Sequence, residues 1–163
     1  FLVKAIKDGV ISQYTVDKGI CRIAVNGNTT PSEALLKKHK LSCERANLYK
    51  NYYTYLYGLP MKLKDEGTII HQKTTIKTFK GKEYLVLKVS YTKEVGKDTW
   101  YFYFDPKTYA MEAYQFFKEQ KERGEYILLT GLETIHDIKM PKERAWYYNK
   151  DDGYLGTDVL SKK

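Results

Sequence analysis

Long apolar runs are missing from this sequence. Nowhere among its 163 residues do 18 apolar residues follow one another, so no segment is suited to cross a bilayer as a helix. The opening residues Phe1-Leu-Val-Lys-Ala-Ile-Lys7 do not read as a charged-then-apolar leader. Histidine is scarce: His39, His71 and His136 lie far apart, and neither His-x-x-x-His nor Cys-x-x-Cys spacing occurs, which argues against a zinc site. There is no Gly-x-Ser-x-Gly elbow for a nucleophile and no glycine-rich phosphate loop; Gly27 and Gly81 read as turn glycines. The acidic pairs Asp65-Glu66 and Asp151-Asp152 fall in turn-like contexts, where water keeps a carboxyl group ordinary and unsuited to acid–base work. Too few oxygen ligands follow Asp151-Asp152-Gly153 for calcium. The expectation is a protein that is not an enzyme, with no catalytic residue, no metal and no cofactor.

Two cysteines, Cys21 and Cys43, fit either redox compartment. In an oxidising compartment they could close a loop of about 23 residues and stabilise by roughly 3 kcal/mol; in the cytosol they would be two buried thiols. The sequence leaves both open.

Charge and rings are what the chain has in plenty. Its 28 Lys+Arg against 20 Asp+Glu give +8, but the excess is spread out, with Leu35-Leu-Lys-Lys-His-Lys40 the densest basic stretch. Scattered lysines on strands read as a solvated face, so nucleic acid is not an expected partner. Sixteen tyrosines against three methionines favour rings with a polar tip, suited to strands and to half-wet surfaces.

The size fits one domain spanning 1–163. The chain starts at Phe1 within a strand pattern and without Met, which leads to the expectation that an N-terminal segment, with a signal peptide, is missing ahead of it. Residues 1–25 read as strands separated by Asp8-Gly9, Asp17-Lys18-Gly19 and Asn26-Gly27-Asn28, residues that accept the positive φ of tight hairpins. Thr30-Pro31-Ser32-Glu33 predicts a helix with a Thr cap and Pro in the first position, running to about His39. A second helix starts at Ser42 and stops at Gly58-Leu59-Pro60, with Ala46, Leu48, Tyr49, Tyr52, Tyr53 and Leu56 at helical spacing.

Strands then run over roughly 69–79, 83–93, 98–105, 108–118, 124–131, 134–140 and 143–149, with a last one near Tyr154–Leu160. Short turns between them make an antiparallel meander. Strand 98–105 carries Trp100, Phe102 and Phe104 on one face and Tyr101 and Tyr103 on the other, so both faces must be covered, by protein or by a bound apolar molecule.

The strand ending in Tyr-Phe-Asp-Pro-Lys-Thr, its return strand and Ile138-Lys-Met-Pro-Lys-Glu-Arg-Ala-Trp146 resemble the lipoprotein carriers of the Gram-negative envelope, the LolA-like fold. The whole chain is similar to an uncharacterised family of secreted or lipoprotein-anchored bacterial proteins of that fold. The resemblance implies an α+β protein, its strongly curved, mostly antiparallel sheet forming an incomplete barrel with helices packed on the concave face. It implies a periplasmic or outer-membrane-anchored location and an apolar cavity for acyl chains. Such carriers gate the cavity with an arginine; this chain has Arg22, Arg45, Arg123 and Arg144, and the sequence assigns the role to none.

The expected function is a non-enzymatic envelope protein that binds a lipid or other apolar ligand. Tyr49, Tyr52, Tyr53 and Leu56 would form one wall of the cavity, opposite Leu87, Trp100 and Phe102, with Lys88 favouring an anionic head group. The alternative is an interaction module, with its core filled by its own side chains and an aromatic surface or edge strand docking an envelope protein or glycan.

Overall fold

A computed structural model describes residues 1–118 and 123–160. The chain folds as two compact units, Phe1–Leu59 and Pro60–Lys163, each built around its own sheet.

The first unit opens with a three-stranded antiparallel sheet of β1 (Leu2–Lys7), β2 (Val10–Asp17) and β3 (Ile20–Val25), in that spatial order. Two-residue turns join them. Asp8 and Gly9 have φ of 51° and 73°, and Lys18 and Gly19 have 47° and 83°, the paired positive values whose twist matches that of the flanking strands.

Helix α1 (Glu33–Lys38) is capped by Ser32, whose hydroxyl accepts from the Leu35 N–H. The cap is therefore Ser32, two residues beyond the predicted Thr30; the Thr30 hydroxyl is instead engaged with Asn28 Oδ1 at 3.3 Å. Helix α2 (Cys43–Gly58) starts where predicted, with Ser42 Oγ accepting from the Arg45 N–H at 3.1 Å. It packs against β2 and β3. Tyr14, Val16 and Ala46 form the core there, surrounded by Val3, Ile23, Leu41 and Tyr49. A disulfide between Cys21 on β3 and Cys43 at the start of α2 ties helix to sheet, with the Cα atoms 5.8 Å apart, which resolves the alternatives for the two cysteines.

The second unit begins with a short 3₁₀ turn, Met61–Lys64, followed by β4 (Thr68–Ile70), β5 (Thr75–Phe79), β6 (Lys82–Tyr91), β7 (Thr99–Phe104), β8 (Met111–Phe117), β9 (Gly124–Ile135), β10 (Ile138–Tyr148) and β11 (Tyr154–Val159). They form an antiparallel sheet in the order β11-β10-β9-β8-β7-β6-β4, with β5 pairing β6 beside β4. The expected strand 69–79 is thus two strands on one edge, β4 opposite the end of β6 and β5 opposite its start. The break at 71–74 leaves His71 Nε2 against Ser90 Oγ at 3.0 Å.

Strands predicted at 124–131 and 134–140 are also revised. β9 runs unbroken to Ile135, and the chain reverses at His136 and Asp137, with φ of 47° and 64°. His and Asp enter the left-handed region more readily than most side chains, so a tight turn forms there without glycine. Gly131, at φ 62°, lies within β9.

The molecule is α+β and mostly antiparallel as expected, but it has two open sheets in place of one, and the helix α2 lies on the smaller of them. The register carries one face of the larger sheet across five strands: Leu87, Phe102, Tyr114, Ile127 and Trp146 are cross-strand neighbours in turn. Phe102, Tyr114 and Ile127 have no exposed surface. On the opposite face Tyr84, Val86, Tyr103 and Ala113 are buried, packed with Phe79, Tyr101 and Leu128.

Candidate functional site

The predicted site residues fall into two groups, one in each unit. On α2, successive spacings of four residues line up Tyr49, Tyr53 and Tyr57, whose ring centroids follow at 6.2 Å and 6.2 Å. Tyr52 meets Tyr53 edge to face at 5.3 Å and keeps 39% of its surface exposed. Phe1 stacks on Tyr53 at 6.5 Å. Leu56, on the same helix, is fully buried.

In the second unit Leu87 and Phe102 are direct cross-strand partners, and Trp100 follows Phe102 on the same face. Trp100 is stacked on Phe102 at 6.0 Å and on Phe116 at 4.8 Å, and lies 6.1 Å from Tyr114. Leu87 and Trp100 are half-buried over the fully buried Phe102 and Tyr114, so the two former residues carry the accessible part of this face. Lys88 stands opposite Tyr101 on the reverse face, the alternation of a strand placing it away from Leu87 and Trp100.

Two residues of the same aromatic face were not singled out in the sequence. Arg144 is 2% exposed, and its Nη1 donates to the Pro141 carbonyl at 3.0 Å. Trp146, two residues on and in phase with it, donates from Nε1 to Asp158 Oδ2 at 3.1 Å. The period-two alternation through β10 was the available signal, since it groups Arg144 with Trp146.

A hollow of about 330 Å³ lies in the first unit, against β1, β2, the α1–α2 connection and the start of α2. Tyr14, Tyr49, Val10 and Leu41 contribute apolar surface, and Lys7, Lys38, Lys40 and Arg45 contribute charge. Arg45 donates from Nε and Nη2 to the Tyr49 hydroxyl at 3.2 and 3.0 Å. Burial raises the Tyr14 phenol above its ordinary range, against the pull of the Arg45 charge. Of this site only Tyr49 was predicted. Its basic residues were read as a solvated face, because they come together from separate segments; the Leu35–Lys40 cluster just before the Ser42 cap was the local signal.

A smaller hollow, of about 310 Å³, is lined by Lys118, Arg123, Gly124, Glu125, Tyr148 and Lys150. Burial raises the Glu125 carboxyl there, with Lys118 opposing the shift. Among the described residues no three His, Cys, Asp or Glu side chains gather as a metal would need.

These elements define an α+β protein of open antiparallel sheets, with an aromatic face in one unit and a basic hollow in the other. The chain belongs to a family of unknown function (DUF6503), whose model matches residues 1–162. No curated protein and no solved structure matches it.

Proposed function

We propose that this is a non-enzymatic binding protein of the bacterial envelope that holds a lipid or other apolar ligand against the aromatic face of its larger sheet. The observation that carries the reading is the half-open pair Leu87 and Trp100, set over buried Phe102, Tyr114 and Phe116. An acyl chain laid on such a surface gains roughly 25 cal/mol for each Å² removed from water, with no chemistry required. Stacked rings that are already packed pay little further entropy on binding.

The finer reading is a carrier of LolA-like architecture. An open antiparallel sheet with two of its corners drawn together by Lys80 and Asp152 supports a half-barrel, and the buried Arg144 on its apolar face is the candidate for the arginine with which such carriers gate their cavity. The Cys21–Cys43 disulfide supports an oxidising compartment, and with it export to the periplasm or the outer membrane.

Native mass spectrometry of the purified protein tests this. Extra mass of several hundred daltons that disappears on denaturation, and that Trp100→Ala reduces, is the expected result. A bare mass that stays bare after incubation with lipids sinks the proposal. It would favour the second reading, an interaction module, which has its own support: the reverse face of the sheet is filled by Phe79, Tyr84 and Tyr103, and the edge strand β11 leaves Tyr154, Leu155 and Val159 exposed.

A further inference from the structure

The basic hollow of the first unit is independent of the aromatic face on which the proposed function rests. Four cations, Lys7, Lys38, Lys40 and Arg45, line it against the single carboxylate of Asp8, which leaves three positive charges in excess. None of the four forms an ion pair with a carboxylate among the described residues. Cations gathered around a concavity repel one another and focus a positive potential into it, an arrangement that an entering anion relieves. Arg45 is already oriented: two of its five N–H donors are spent on the Tyr49 hydroxyl, and the other three remain for a ligand. The wall behind the charges also holds a polar group in waiting. Tyr14 is 3% exposed and its hydroxyl makes no direct hydrogen bond of ordinary geometry, with the Ser42 backbone and Arg45 acting on it.

The geometry points to this hollow as a binding site for a phosphomonoester, with Arg45, Lys38, Lys40 and Lys7 holding the phosphate and the organic body lying on the Tyr49 ring and Leu41. A dianion matches the charge excess better than a monocarboxylate does, and a guanidinium meets phosphate oxygens in pairs. The volume of about 330 Å³ admits an organic body beside the phosphate. The same head group occurs on soluble esters and on phosphatidic acid.

Isothermal titration of the full chain at low salt with phenyl phosphate, inorganic phosphate and benzoate tests the site. Phenyl phosphate is expected to bind saturably and about tenfold more tightly than benzoate, which has the same ring and one charge less. Arg45→Gln should weaken it about tenfold or more. Lys7→Glu, a change at an exposed residue, should weaken it severalfold with the melting temperature unchanged. Equal affinity for benzoate, absence of saturable heat, or wild-type affinity in both variants overturns the assignment. Sedimentation with phosphatidylcholine vesicles, with and without phosphatidic acid, then separates the two sources: binding that needs phosphatidic acid and is lost in Lys7→Glu places the ester on a lipid, and its absence beside tight phenyl phosphate binding places it on a soluble molecule. Lipid retention by mass and this titration read different residues, so either can fail alone.

Discussion

The ammonium group of Lys80, at the tip of the β5–β6 hairpin, donates to Asp152 Oδ1 in the β10–β11 turn at 2.5 Å, across 72 residues of chain. The two turns belong to opposite sides of one sheet, so their meeting requires the sheet to bend. Tyr126 completes the contact: its hydroxyl donates to the same carboxylate oxygen at 3.0 Å, and the Lys80 ammonium lies 4.5 Å from its ring centroid. Phe79 supports the bend from within, stacked on Tyr103 at 4.5 Å and edge-on to Tyr126 at 5.4 Å.

If that contact restrains the sheet, Asp152→Asn should speed amide hydrogen exchange at the β5–β6 tip and in the β10–β11 turn, and leave the central strands protected. Lys80, then Tyr126, hold the Asp152 carboxyl below its ordinary value. A carboxyl group lowered by folding stabilises above its unfolded value and loses that contribution as pH falls through the folded one. The same two segments should therefore loosen first on acidification below about pH 4. Uniform exchange at both pH values would show that the contact restrains nothing.

Local chemistry made much of this fold legible. Asp8-Gly9 and Asp17-Lys18-Gly19 marked the hairpins of the first unit, Ser42 marked the start of α2, and strict alternation assigned Trp100 and Phe102 to one face and Tyr101 and Tyr103 to the other. The Asp105-Pro-Lys turn was also readable; Asp105 Oδ1 accepts from the Lys107 and Thr108 N–H groups at 2.9 Å each, an Asx turn closed from outside by Lys82 at 2.8 Å. What escaped was non-local. Alternation says which side chains share a face of a strand and not which strands pair, so the division into two sheets could not be read. His136 and Asp137 hid a turn because they lack glycine. The basic hollow draws Lys7, Lys38, Lys40 and Arg45 from three segments, of which only Leu35–Lys40 is notably basic alone.

The Cys21–Cys43 disulfide joins residues 22 apart in sequence and attaches α2 to β3, so it limits the unfolded chain as well as the folded one. Replacing both cysteines by serine should cost about 3 kcal/mol of stability. Denaturant melts of the oxidised wild type, the reduced wild type and the double variant measure this directly. The last two should agree with each other, and a reduced protein as stable as the oxidised one would refute the estimate.

Gly124 starts β9 with φ of 149°, and a Cβ added there would sit 2.0 Å from the Phe116 carbonyl oxygen. The close approach has a structural reason, since Asn149 Nδ2 donates to that same oxygen at 2.9 Å while its backbone N–H donates to the Gly124 carbonyl at 3.1 Å. Gly124→Ala must move backbone on two strands and should destabilise by about 2 kcal/mol or more. Gly81→Ala is the control: it has a positive φ of 81° and open space around it, so it adds strain without a clash. Equal losses in the two variants would mean that strain alone, and not the β8–β9 packing, sets the cost.

Tyr103 gives the sheet an alkaline limit. It is 4% exposed, its hydroxyl donates to Gln115 Oε1 at 2.6 Å, and burial, with Tyr101 nearby, pushes its phenol up to about 12. An unfolded tyrosine ionises near 10, so the folded state holds the proton more tightly than the unfolded state does. The resulting stability is complete below pH 10 and is lost as pH rises towards 12, by at most about 3 kcal/mol for this residue. Burial raises Tyr84 and Tyr126 as well, which widens the same window. Wild-type protein should thus unfold cooperatively between about pH 10 and 12, with tyrosinate absorbance at 295 nm rising together with the loss of circular dichroism. Tyr103→Phe removes the ionising group and frees Gln115 to keep its bond to Asn149 Oδ1 at 2.9 Å, so its midpoint should move upward. A midpoint that stays in place would assign the alkaline transition to other tyrosines.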